Sequence, residues 1–218
     1  MSLRQEIVKY CRKVYAQGLT AATDGNLSVR FSDHLILITR SGISKGDVEE
    51  KDIIACDQNG NVVMGSGKAS TEFKLHQYIY KKRKDVNAVI HCHPVYASAF
   101  SVSGKSLDVP VFPEVVLTLG RIPLCSYETP SSEALADSLS PFAGYANVFL
   151  LQNHGAVCVG KNLKEAFYRT EKLEHYAKIM FAAITLGDVR ELTRENLNEL
   201  YAAAEKVYGI KLHDKNKF

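Results

Sequence analysis

Leu3, Ile7, Tyr10, Cys11 and Val14 recur at the spacing of one helical face, and the pattern stops at Gly18, a residue suited to ending a helix. The period then changes. Residues 27–31 and 35–39 predict short strands, and residues 53–56 and 62–64 predict two more around Asn59-Gly60, a dipeptide suited to a hairpin turn. Ser70-Thr71-Glu72 marks a helix start, with Phe73, His76, Ile79 and Tyr80 on its inner face. The apolar, β-branched run 86–91 predicts a buried strand, 95–103 a short helix after Pro94, and 132–139 another helix. Residues 148–151 and 156–159 predict strands on either side of a turn at His154. A long amphipathic helix follows over 163–186, capped by Asn162 and ended by Gly187, and Thr193 caps a last helix reaching Tyr208-Gly209.

Strands in hairpins with helices interspersed differ from a strict βαβ alternation. They predict a three-layer α/β fold, a central mostly antiparallel sheet covered by helices on both faces. No linker, repeat or low-complexity tract interrupts the chain, so residues 1–218 are expected to form one domain. The composition, 46% hydrophobic and 23% charged, fits a soluble domain with a sizeable core. No apolar run approaches the roughly 20 residues needed to span a bilayer. The start, Met1-Ser2-Leu3-Arg4-Gln5-Glu6, lacks the order of a signal peptide. A cytoplasmic protein without a membrane partner is expected.

The formal charge of +3 is small, and the one basic cluster, Lys81-Lys82-Arg83-Lys84, falls where a helix should end and cations are favoured anyway. It is expected to be a solvated helix end, with no nucleic-acid partner. Five cysteines lie far apart, with no CxxC pair and an odd total, and are expected to be reduced and mostly buried. Glycine-rich nucleotide loops are absent, which leaves a nucleotide-fold reading without support.

The chemistry concentrates in Glu72, His91-Cys92-His93 and His154. Two histidines at i and i+2 on a strand point to one face and can reach one ion, while Cys92 between them faces away. Imidazole and carboxylate without thiolate suit Zn²⁺, or a similar divalent ion, in a reactive site. His34, His76, His175 and His213 lack such a context and are expected to be ordinary structural histidines. A second, polar cluster comprises Thr23-Asp24-Gly25-Asn26, Thr39-Arg40-Ser41-Gly42 and Ser70-Thr71. Backbone N–H groups and hydroxyls gathered at loops and a helix N-terminus can hold a phosphate, although ordinary turn and cap chemistry uses the same residues.

Gly25-Asn26-Leu27-Ser28, Thr39-Arg40-Ser41-Gly42, Ser70-Thr71-Glu72, His91-Cys92-His93-Pro94 and Leu151-Gln152-Asn153-His154-Gly155 together resemble the class II aldolase/adducin family. The similarity runs from the first helix to Tyr208-Gly209. It implies a homotetramer of fourfold symmetry with active sites at subunit interfaces. It implies zinc on His91, His93 and His154, with Glu72 as fourth ligand when substrate is absent. Phosphate would fall on Asn26, Ser41, Gly42, Ser70 and Thr71, with Thr23 nearby. The implied reaction cleaves a phosphorylated ketose into dihydroxyacetone phosphate and a short aldehyde, with Glu72 moving the proton on the dihydroxyacetone phosphate carbon.

One departure stands out. The family's aldolases place a tyrosine from a neighbouring subunit on the aldehyde side, where this chain reads Val109-Pro110-Val111-Phe112-Pro113-Glu114-Val115. Glu114 takes the matching slot as acid or as a polar wall residue, and Tyr208 matches the family's C-terminal tyrosine. The same family includes L-ribulose-5-phosphate epimerases, a dehydratase that does not keep the glutamate, oxo-sugar-acid phosphate decarboxylases, and the adducin head, an interaction module without the metal histidines.

Overall fold

Ser2 accepts a hydrogen bond from the Gln5 N–H and Gln5 returns one to the Ser2 N–H, a capping box that starts α1 (Leu3–Ala16). In the computed structural model, which describes the backbone of all 218 residues and every side chain except that of Tyr208, four strands follow. They are β1 (Asn26–Arg30), β2 (Ile36–Thr39), β3 (Ile53–Cys56) and β4 (Val62–Met64), each antiparallel to the next. The chain then builds α2 (Phe73–Lys82), β5 (Ala88–Cys92), α3 (Val95–Ser103), α4 (Pro113–Thr118), β6 (Leu124–Cys125) and α5 (Glu133–Asp137). It ends with β7 (Val148–Leu151), β8 (Gly155–Gly160), α6 (Leu163–Leu186) and α7 (Arg194–Tyr208).

All eight strands join one sheet in the order β4-β3-β2-β1-β5-β8-β7-β6. Every neighbouring pair is antiparallel except β6 with β7. Side-chain alternation divides the core between the two faces. Ile36, Ile38, Ile54, Val89, Phe149, Leu151, Val157 and Val159 pack under α2 and α5. Leu27, Leu37, Ile53, Ala88, Ile90 and Cys92 meet α1 and the start of α6, and Val148, Leu150, Ala156 and Cys158 meet α3, α4 and the rest of α6. Each fully enclosed Leu, Ile or Phe here contributes about 1.5–3 kcal/mol of transfer free energy. The expected three-layer architecture is therefore the one observed.

One α-helix and one strand were not foreseen. Pro113 starts α4, a single short helix whose brevity hides any periodicity, and β6 has only two residues. The helix expected over 132–139 stops at Asp137, shortly before Pro141, whose ring disfavours helical geometry in the residue before it. Arg83 also departs from the solvated-end expectation. It bonds Asp85 at 2.7 Å and the carbonyl of Ala146 at 3.0 Å, while Lys81, Lys82 and Lys84 stay exposed. All five cysteines are buried and unpaired. No described helix is long and apolar enough to cross a membrane.

Candidate metal centre and polar loops

β5 pairs with β1 on one side and β8 on the other, with Asn26 opposite His91 and Ala156 opposite Cys92. His91 and His93 therefore leave the end of β5 on the face covered by α2, and Cys92 enters the opposite core, as alternation predicts. His154 arrives from the three-residue turn between β7 and β8. Asn153 takes a left-handed conformation there, φ 55°, which closes the turn and turns the next side chain back toward β5. Glu72 stands at the head of α2 but caps nothing; its side chain runs to the histidines instead.

Two glycines make this approach fit. A Cβ on Gly155 would lie 2.5 Å from His93 Cδ2 and 2.7 Å from the Cys92 carbonyl. One on Gly25, at φ +73°, would lie 2.8 Å from the His91 carbonyl. Neither position tolerates a side chain without moving a histidine.

The ligating atoms of His91, His93 and His154 lie within 4.8 Å of one another. His91 Nε2 is 3.0 Å from Glu72 Oε2 and 3.1 Å from His93 Nε2, and His154 Nε2 is 3.1 Å from Glu72 Oε1. His91 Nδ1 donates to the Ala156 carbonyl at 3.0 Å, an oxygen that can only accept. In the neutral ring this leaves a lone pair on Nε2, aimed at a carboxylate oxygen and at a second imidazole. Such a gathering of electron-rich atoms is stable only with a proton or a cation among them. Glu72 Oε1 is an orphaned buried acceptor, without any hydrogen bond directed to it. The donor set fits a divalent ion taking nitrogen and oxygen ligands.

Electrostatics follow from this crowding. Burial pushes the Glu72 carboxyl up, but attraction to His91 and contact with His154 outweigh it, so Glu72 is ionised far below the usual carboxylate range. Burial, followed by the charges of His91 and His154, pushes His93 down to about 4. Asp24 Oδ2 stands 3.6 Å from His93 Nδ1 on its outer side.

The polar loops collect beside this cluster along the chain. Thr23, Ser41, Gly42 and Thr71 are exposed, Ser70 is half-buried, and Asn26 is buried. Ser70 Oγ accepts from the Glu72 N–H at 3.3 Å, at the N-terminal end of α2. Asn26 sits deeper, its side chain donating to Glu72 Oε2 at 2.8 Å. Glu114 is exposed in the first turn of α4, and among the described residues its carboxylate forms no ion pair or hydrogen bond with the histidine cluster. The Tyr208 side chain lies outside the described residues.

Lys45 escaped the sequence reading, whereas His76 is the hydrogen-bonded structural histidine it was expected to be. His76 is fully enclosed and bonded to Asn26 and Ser28. Lys45 is 1% exposed, and its Nζ donates to the carbonyls of Thr23 at 3.0 Å and Ile43 at 2.7 Å, tying the two loops together. Lys45 sits in a turn, where no periodicity marks an inward-facing residue.

This fold and this histidine–carboxylate cluster correspond to one class of protein. Residues 5–181 match the Class II Aldolase and Adducin N-terminal domain family, and the chain belongs to it. It is 35% identical to L-fuculose phosphate aldolase of Methanococcus maripaludis over 81% of this chain and 94% of that one. It is 32% identical to 3-oxo-tetronate 4-phosphate decarboxylase of Haemophilus influenzae over 92% of this chain and 96% of that one. A solved L-fuculose 1-phosphate aldolase superposes with a TM-score of 0.84 at 34% identity, covering 93% and 94% of the two chains. The protein is an enzyme, a lyase of the aldolase type.

Proposed function

We propose that this lyase is zinc-dependent and cleaves a phosphorylated ketose resembling L-fuculose 1-phosphate, by retro-aldol reaction, into dihydroxyacetone phosphate and a short aldehyde. The observation carrying this reading is the convergence of three imidazoles on one buried, ionised carboxylate. The sugar-phosphate chemistry named for the relatives supports the substrate class. His91, His93, His154 and Glu72 would hold the ion, which when bound supplies the positive charge that stabilises the enediolate left by C–C cleavage.

This chain's own residues do the rest. The substrate phosphate sits on Thr23, Asn26, Ser41, Gly42, Ser70 and Thr71, where hydroxyls and N–H groups at the start of α2 meet an anion. Asn26 joins this set only by sharing an amide already committed to Glu72. Glu72 would take or return the proton on the dihydroxyacetone phosphate carbon. Glu114 and Tyr208 serve the aldehyde side, supplied by a neighbouring subunit of a homotetramer. Glu114 stands apart from the cluster of its own chain, and apolar side chains are exposed on α3 and α6 (Val95, Val102, Phe181 and Leu186), both of which support that arrangement. We read residues 1–218 as one domain and place the protein in the cytoplasm, in keeping with five reduced thiols.

Decarboxylation is the second reading. It is favoured by the decarboxylase relative and by the missing tyrosine in 109–115. Loss of CO₂ from a 3-oxo-tetronate 4-phosphate leaves the same enediolate, with no departing aldehyde whose hydroxyl proton must be taken up. Retention of all three histidines weighs against an adducin-like interaction module, and retention of Glu72 weighs against dehydration.

Zinc-loaded protein incubated with dihydroxyacetone phosphate and a panel of short aldehydes separates these readings. Aldehyde-dependent consumption of dihydroxyacetone phosphate is expected. CO₂ release from 3-oxo-tetronate 4-phosphate without any aldol product would install the decarboxylase reading instead. A protein that binds no metal and turns over neither substrate would overturn both.

A further inference from the structure

His76 lies one helical turn after Glu72 on α2, is 0% exposed, and has no part in the reading above. Both its ring nitrogens are engaged. Nδ1 is 2.6 Å from Ser28 Oγ, and Nε2 is hydrogen-bonded to Asn26 Oδ1. Ser28 Oγ is in turn 2.8 Å from the Tyr80 hydroxyl, and Asn26 Nδ2 donates to Glu72 Oε2 at 2.8 Å. The fold sets this line: Asn26 and Ser28 are alternate residues on one face of β1, and His76 and Tyr80 are one turn apart on the covering helix.

The sense of each bond follows from donor and acceptor chemistry. An ionised carboxylate only accepts, so Asn26 turns its NH₂ to Glu72 and its oxygen to His76. His76 must then carry its proton on Nε2 and accept on Nδ1 from the Ser28 hydroxyl. Ser28 oxygen is left to accept from Tyr80. Every hydrogen therefore points toward Glu72. Burial, followed by the charge of His91, pushes His76 down to about 3, which keeps the ring neutral and this pattern intact.

An asparagine amide standing alone can turn over and set its oxygen against the carboxylate, two acceptors face to face. The His76 N–H forbids that turn, and Ser28 in turn fixes which His76 nitrogen bears the hydrogen.

We infer that Tyr80, Ser28, His76 and Asn26 form a buried relay that orients the Glu72 carboxylate, anchoring Oε2 and leaving Oε1 for the cation and the proton. His76, Ser28 and Tyr80 are positioning residues, acting through Asn26 and Glu72 rather than on substrate. The inference rests on the reading of Glu72 as ligand and proton carrier.

The test compares His76→Leu, which removes the donor, with His76→Gln, which keeps an N–H near the same place. Co²⁺ replaces the native ion, and its affinity in substrate-free protein is measured by chelator competition alongside its absorption spectrum. Inhibition by inorganic phosphate and proton exchange on dihydroxyacetone phosphate are read in parallel. His76→Leu is expected to weaken Co²⁺ by about tenfold or more, the usual scale for a partner lost behind a metal ligand, and to alter the spectrum. Exchange should slow while the phosphate inhibition constant stays within about twofold, and His76→Gln should recover most of the loss.

Wild-type Co²⁺ affinity and exchange in His76→Leu would overturn the relay. So would a change confined to phosphate inhibition, which would return Asn26 to the phosphate alone. Should His76→Leu fail to fold, Ser28→Ala carries the same readouts with the same directions. Wild-type protein that exchanges no proton would sink the functional reading, while the Co²⁺ measurements would still decide the relay.

Discussion

At the scale of single residues, the proposed roles assign the three imidazoles to the ion and Glu72 to both the ion and the proton. His93 is partly open to solvent, with 26% of its side chain exposed, so truncating it leaves little void in the core. His93→Ala is expected to lose bound metal and ketose-phosphate cleavage while its circular dichroism stays that of the wild type. A fully active, metal-free variant would contradict the assignment. Glu72→Gln keeps the shape but removes the base, and proton exchange should slow by about 10²-fold or more. His76 gives a pH signature of its own. Its ordinary value is near 6.5, and burial takes it to about 3, so the unfolded chain binds the extra proton first as pH falls. Stability is therefore whole above about pH 6.5 and lost on acidification toward pH 3, by on the order of 5 kcal/mol at the limit. Urea unfolding between pH 7 and 4 should show this slope in wild type and a shallower one in His76→Gln.

At the scale of elements, the strand–turn–strand unit of β7 and β8 is what delivers His154 and leaves room for His93. Gly155→Ala should cost about 1–3 kcal/mol by overpacking and should weaken metal binding at the same time, because the new methyl meets the His93 ring. Thermal unfolding with metal analysis checks both; a stable variant with full metal content would show that the turn can give. The same elements show what the chain makes legible. HxH at the end of a β-branched run, Asn-His-Gly between two apolar runs, and a glutamate at a helix start each carry a local signature. The hydrogen-bonded line behind Glu72 does not. His76 was readable as inward-facing on α2, but its partners come from β1, 48 and 50 residues away in the chain, and only the packed sheet brings them together. β6 was illegible for a similar reason, since two residues have no period and its pairing is with β7, far along the sequence.

At the scale of the whole molecule, Thr23, Ser41, Gly42 and Thr71 of the proposed site are exposed to solvent in a single chain. A groove of 1310 Å³ elsewhere, between the end of α2, the start of α6 and the C-terminal segment, is lined by none of the described candidate site residues. The proposed tetramer would bring a neighbouring subunit over the exposed residues of the site. Sedimentation equilibrium should return four times the 24.2 kDa of one chain. Phe181 is 54% exposed on α6, and Phe181→Glu should lower that mass and the turnover together while metal content is kept. A wild-type monomer with full activity would dismiss the arrangement.

The five enclosed sulfhydryls have a practical consequence. Burial raises all of them, Cys11, Cys125 and Cys158 to about 12 and Cys92 well above its ordinary value, so almost no nucleophilic sulfur is presented while the chain stays folded. Alkylating reagents should thus leave the native molecule untouched and label it only as it opens. The rate at which each sulfur is captured becomes a clock for breathing on either face of the sheet, with Cys11 and Cys92 timing one side and Cys56 and Cys125 the other.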